Sequence, residues 1–167
     1  MDDLLLWILV GVVVLLALIP MLFGLLLSPF QQATRVELIK APIDRVWEAI
    51  SELSRQTEWR DDLKSVQLKD DDNGLRWIEQ PTRGSKLTVR KMKEVEQKEI
   101  LIQMERGKKV LGTRLAILRQ VPGGTRVTFT ETAEVRSPLR RLFTHLGGKL
   151  DKRLNHYISN LKAAFNK

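Results

Sequence analysis

The 167-residue chain has no cysteine and only two histidines, His145 and His156. Without cysteine there is no disulfide framework, no cysteine nucleophile, no iron–sulfur cluster and none of the usual zinc knuckles. Two histidines are too few for a multi-histidine metal centre, so no metal site and no cofactor are expected. Basic residues are missing from the whole N-terminal stretch, the first being Arg35, although the chain as a whole carries a net charge of +8.

What fills that stretch is apolar. Leu4 to Leu27 is a run of 24 uncharged residues, 17 of them Leu, Ile or Val. As a helix it would be about 36 Å long, enough to cross a hydrocarbon core of roughly 30 Å with some tilt. A secretory signal would have a basic leader, a shorter apolar run and a small-x-small cleavage site. Here the leader is Met1-Asp2-Asp3 and the exit is Ser28-Pro29-Phe30-Gln31-Gln32, which reads as an uncleaved anchor. Pro20 within it is tolerated in a membrane helix.

The flanks set the expected orientation. Two acids precede the span, and Arg35, Lys40, Arg45, Arg55 and Arg60 follow it. The positive-inside rule then predicts a single-pass cell-membrane protein with its soluble part in the cytoplasm. That part carries +10, because Asp2 and Asp3 lie outside it. The expected organisation is an anchor over 1–30, a linker over 31–34 and one domain over 35–167. Ser28–Thr34 forms a tether that reaches at most about 25 Å when extended.

Within the domain, Val36 and Leu38 alternate with polar neighbours up to Ala41-Pro42, which predicts a first strand. Ile43, Val46, Trp47, Ile50 and Leu53 then recur at helical spacing behind Asp44. A polar segment follows around Trp59.

From Leu63 the period becomes two. Val66 and Leu68 lead through Asp70-Asp71-Asp72-Asn73-Gly74 to Leu75 and Trp77, a hairpin signal. The acidic turn lacks the ligand spacing of a calcium loop. Further alternating runs contain Leu87 and Val89, with a phase slip to Met92; then Ile100, Ile102 and Met104; then Thr113, Leu115 and Ile117. After Val121-Pro122-Gly123-Gly124 come Val127, Phe129, Glu131, Ala133 and Val135.

The gaps are short, so these are antiparallel strands in meander order. Leu139, Leu142, Phe143, Leu146, Leu150, Leu154, Ile158, Leu161 and Phe165 predict one long C-terminal helix opened by Ser137-Pro138. The class is α+β: a curved antiparallel sheet of six or seven strands with the long helix across its concave face.

In that order the chain resembles the SRPBCC superfamily, also called START-like or helix-grip, and within it the polyketide cyclase/dehydrase and lipid transport families. Lys40-Ala41-Pro42-Ile43-Asp44-Arg45-Val46-Trp47-Glu48-Ala49-Ile50 is similar to the family's opening "aP.e.VWe.l". Trp59 falls where its next tryptophan sits. Pro122-Gly123-Gly124-Thr125-Arg126-Val127-Thr128-Phe129 is similar to its "pgGTrvt" strand. The resemblance implies a helix-grip fold with a deep apolar cavity between sheet and helix. It does not fix an activity, because the superfamily includes both carriers and cyclases.

The candidate cavity residues are Trp77, Met92, Met104, Ile117 and Phe129, all equally compatible with plain core, and Glu131. Glu131 breaks an otherwise apolar face. In a cavity its pKa would be raised by burial, as in a general acid; against the helix it would instead pair with an Arg or Lys. Arg119 is a candidate second ionisable group.

Both histidines are expected on the polar side of the last helix, where Arg141, His145, Lys149, Lys152 and His156 form a basic stripe. That stripe is either a solvated exterior or a surface attracted to anionic lipid. No DNA partner is expected, and RNA is disfavoured because the bases are scattered without interleaved exposed aromatics. Three readings stand: a membrane-anchored domain holding a lipid, quinone or isoprenoid; a cyclase- or dehydratase-like enzyme using Glu131; and a ligand-free adaptor at a membrane complex.

Overall fold

A computed structural model describes residues 2–72 and 74–166. Met1, Lys167 and the Asn73 of the expected Asn-Gly turn lie outside the described residues, as does the side chain of Leu146. The apolar run forms one helix, α1 (Asp2–Leu26), with Pro20 inside it. It is long and apolar enough to cross a membrane, and its apolar window is unburied by the rest of the chain.

Only residues 27–29 separate it from β1 (Phe30–Ile39). Residues 31–34, expected as a linker, are therefore strand. They pair with β7 in the register Gln31↔Ala133 to Thr34↔Thr130.

After β1 come α2 (Ile43–Ser51) and a 3-10 helix (Leu53–Glu58). Six strands follow: β2 (Leu63–Lys69), β3 (Arg76–Pro81), β4 (Leu87–Val95), β5 (Glu99–Arg106), β6 (Lys109–Val121) and β7 (Gly124–Glu134). The seven strands form one antiparallel sheet in the order β1-β7-β6-β5-β4-β3-β2. Register shifts at Leu63/Ser65, Lys91/Lys93 and Met104/Glu105 bend the strands. The phase slip at Met92 is the sequence trace of the second of these.

The expected single C-terminal helix is two helices, α3 (Pro138–Gly147) and α4 (Lys149–Phe165). Gly148 between them has φ 53° and ψ 35°, the left-handed conformation that ends a helix and that glycine adopts without a Cβ penalty. The core is closed by α4, which buries Leu150, Leu154, Tyr157, Ile158 and Leu161 against the concave face. Two ion pairs hold its flank to β1, Arg35 to Asp151 at 2.6 Å and Lys162 to Glu37 at 2.7 Å.

In two strands the inward face is the opposite of the expected one. β1 buries Ala33 and Ile39 and turns Val36 and Leu38 outward. β6 buries Gly112, Arg114, Ala116 and Leu118 rather than Thr113, Leu115 and Ile117. The cause is register. Arg114, Ala116 and Leu118 stand opposite Glu131, Phe129 and Val127, and directly paired residues share a face. The fully buried face of β7 thus fixes that of β6.

Candidate functional site

A pocket of about 600 Å³ lies between the inner face of β3–β6 and α4, within the range of small-molecule sites. Leu87, Val89, Ile102 and Met104 form its apolar wall. Tyr157, Arg153 and His156 bound it on the helix side and Arg114 on the sheet side. Arg60, Asp61, Asp62 and Glu79 make the rest of its lining strongly charged, and exposed Thr82, Arg83 and Arg106 mark its mouth. The mouth sits in the β3–β4 and β5–β6 turns. The register of β1 with β7 and of β7 with β6 puts those turns at the same end of the sheet as the junction with α1.

Arg114 donates to Glu131 Oε2 from Nε at 3.0 Å and from Nη2 at 2.8 Å. Arg153 reaches the other oxygen, Oε1, from α4. Glu131 is wholly buried and Arg114 nearly so. Burial alone would raise the Glu131 pKa, but the two guanidinium groups outweigh it and hold the carboxyl below its ordinary value. For Arg114, the loss of hydration that would lower its pKa is outweighed by Glu131, and the pKa is raised.

Of the two readings of Glu131, the structure matches the ion-paired one, not the raised, acid-like one. The side chain is an ion-paired carboxylate, and its partners are Arg114 and Arg153 rather than Arg119, which is exposed on the outer face.

A second ion cluster lies beside the first. Arg60, on the segment after the 3-10 helix, donates to both oxygens of Asp62 at 3.0 and 2.8 Å, to Gln56 Oε1 at 2.9 Å and to Glu79 Oε1 at 3.1 Å. Tyr157 joins the clusters. The guanidinium carbon of Arg114 lies 3.9 Å from its ring centroid and that of Arg60 5.4 Å, while Trp59 and Phe129 pack edge-on against the ring. Burial raises the Tyr157 pKa despite both cations, so the phenol stays protonated.

Of the cavity candidates, Met104 lines the pocket. Glu131 lies behind Arg114. Trp77 and Phe129 are core, the Trp77 indole donating to Ser54 Oγ at 3.2 Å. Met92 and Ile117 are corrected: at 54% and 45% exposed they face outward, Met92 because it is the extra residue of the β4 bulge.

The basic stripe is not one helix face, because Gly148 divides it. Arg141 turns inward to the carbonyls of Val135 (2.8 Å), Arg136 (3.1 Å) and Leu27 (3.4 Å). His156 contacts Asp61 at 2.7 Å, and His145, Lys149 and Lys152 are exposed. Arg114, Arg60, Glu79, Arg153 and Tyr157 were not anticipated. For Tyr157 the signal was present: it lies three residues after Leu154 and four before Leu161, on the buried stripe.

Solved structures with this fold include a Mesorhizobium loti protein, at 15% identity and TM-score 0.61, covering 80% of this chain and 95% of the other. A Rhizobium leguminosarum protein has 22% identity and TM-score 0.56, with coverage of 82% and 96%. The di-domain aromatase/cyclase StfQ of steffimycin biosynthesis has 12% identity and TM-score 0.64, with coverage of 82% and 51%. At these identities the likeness establishes the fold. No curated protein matches. Residues 31–166 match the polyketide cyclase/dehydrase and lipid transport family over most of the chain, and the protein belongs to that family.

Proposed function

We propose that the domain holds a hydrophobic small molecule of the lipid, quinone or isoprenoid kind, and that α1 fixes it to the cell membrane with the domain on the cytoplasmic side. The observation that carries this reading is the pocket of about 600 Å³ with a wall of Leu87, Val89, Ile102 and Met104. Its mouth opens at the end of the sheet joined to α1, so a ligand from the bilayer has a short route into it. A cyclase- or dehydratase-like reaction with Glu131 as general acid is disfavoured, because that carboxyl is held ionised by Arg114 and Arg153.

Native mass spectrometry of the full chain, released from detergent, is expected to reveal an apolar adduct of several hundred daltons, on the order of what such a volume accommodates. A chain that stays adduct-free from several mild detergents, and gains none on incubation with membrane lipid extract, would sink the binding reading and favour an adaptor. Topology is tested separately. A C-terminal reporter active only in the cytoplasm is expected to be active, because the basic flank follows the span; activity of an export-dependent reporter instead would reverse the orientation.

A further inference from the structure

On the apolar face of α3, Leu142 is half-buried, but Leu139 and Phe143 are left largely uncovered. Leu139 is 44% exposed and Phe143 64% exposed, although the helix was expected to bury both. The opposite face is tied down. Arg141 donates to the carbonyls of Val135 and Leu27, and the Gln31 amide donates to Thr144 Oγ1 at 2.8 Å. The start of the helix is fixed as well. Pro138 lies so close to Gly24 of α1 that a Cβ on Gly24 would overlap its carbonyl. Gly24 is two residues from the end of α1 at Leu26, so α3 begins at the level of the last turn of the apolar helix.

We propose that α3 lies in the plane of the membrane, with Leu139 and Phe143 inserted at the boundary of headgroups and acyl chains of the same bilayer that α1 crosses. This rests on reading α1 as a membrane span. Three observations select lipid as the occupant. The uncovered face starts beside a helix whose own apolar surface is unburied. The three-residue connection, 27–29, joins α1 to β1, whose first residue Phe30 pairs with Glu134 at the end of β7, four residues before α3, so there is little length to lift α3 away. Exposed Arg140 lies beside the apolar face on α3, and exposed Lys149 follows just past its end, giving the mix of apolar face and cations that seats interfacial helices on anionic membranes. With α1 and α3 both engaged, the domain has a fixed tilt, and the pocket mouth stays toward the headgroups.

The absence of cysteine makes a direct test possible. Single spin labels are placed in the full chain through Phe143→Cys and Leu139→Cys on α3, Leu15→Cys in the middle of α1, and Glu96→Cys in the β4–β5 turn at the far end of the sheet. The protein is reconstituted in phosphatidylcholine bilayers containing phosphatidylglycerol. Collision with oxygen, which concentrates in the bilayer, is compared with collision with a water-soluble nickel chelate. The oxygen-to-nickel ratio at 143 and 139 is expected to exceed that at 96 by roughly tenfold and to stay below that at 15, as for a helix buried several ångströms into the interface.

If 143 and 139 match 96 while 15 reads as membrane, α3 is in water and the inference falls with the anchor intact. If 15 also reads as water, the anchor reading itself fails and takes the inference with it. Shielding of 143 from both reagents would mean that a protein surface, such as a second copy, covers α3, which also overturns the proposal.

Discussion

Replacing Glu131 with Leu is expected to destabilise the domain by about 3–5 kcal/mol, the usual cost of removing one partner from a buried ion pair. Urea unfolding should report it directly, with a melting temperature lower by on the order of 10–20 °C. The cost arises from what is left behind rather than from the lost attraction. Arg114, on β6, is packed against the ring of Tyr157, 3.9 Å from the ring centroid, and although it borders the pocket it stays almost wholly buried, so its charge would be left poorly hydrated. Arg153, half exposed on α4, can swing out and rehydrate.

A double variant, Arg114→Met with Glu131→Leu, removes both buried charges and should recover most of the stability, because well-packed apolar replacements of such pairs are often neutral or better. If the two single losses simply add in the double variant, the pair is not coupled and this account of the core fails.

The same pair has a pH signature. The folded pKa of Glu131 is depressed below its ordinary value of 4.5. Its contribution is therefore fully present above that value and is lost as the pH falls below it through the folded pKa. The wild-type domain should lose stability on acidification below about 4.5 more steeply than the double variant.

These charges explain why part of the fold was legible in the sequence and part was not. The element order, the hairpins and even the β4 bulge leave local traces: period two, a turn signal, and a slip from Leu87 and Val89 to Met92. The inward face of β6 leaves none. Leu115 and Ile117 are more apolar than Arg114 and Ala116, so periodicity selects the wrong face. The right face is set by a partner 17 residues away in the neighbouring strand, and such a register is long-range information.

The parity of Glu131 was readable, but its cations were not, and the pKa direction followed from them. The break before α4 failed to register for a related reason. The apolar stripe continues in phase across Gly147-Gly148, and only the backbone conformation of Gly148 tells that the two halves face different surroundings, core for α4 and an uncovered surface for α3.

The wall of the pocket, rather than its charged side, should decide whether ligand binds. Met104→Trp with Leu87→Phe adds bulk on two adjacent strands facing an open volume of about 600 Å³. The overpacking that costs typically 1–3 kcal/mol in a filled core should be largely avoided, and the melting temperature should stay close to wild type. The adduct expected in native mass spectrometry should fall by roughly tenfold or more, since the affinity of apolar ligands scales with the surface they bury.

Met92→Trp and Ile117→Trp are the matched controls: both positions face solvent, and neither should change the adduct. The Arg114→Met, Glu131→Leu variant completes the comparison. It leaves Leu87, Val89, Ile102 and Met104 untouched, so an adduct that survives there and vanishes with the filled wall assigns recognition to apolar contact. Loss in both would mean that Arg114, which lines the pocket, also orients a polar end of the ligand. Retention in the filled-wall variant would remove the pocket from consideration as the binding site.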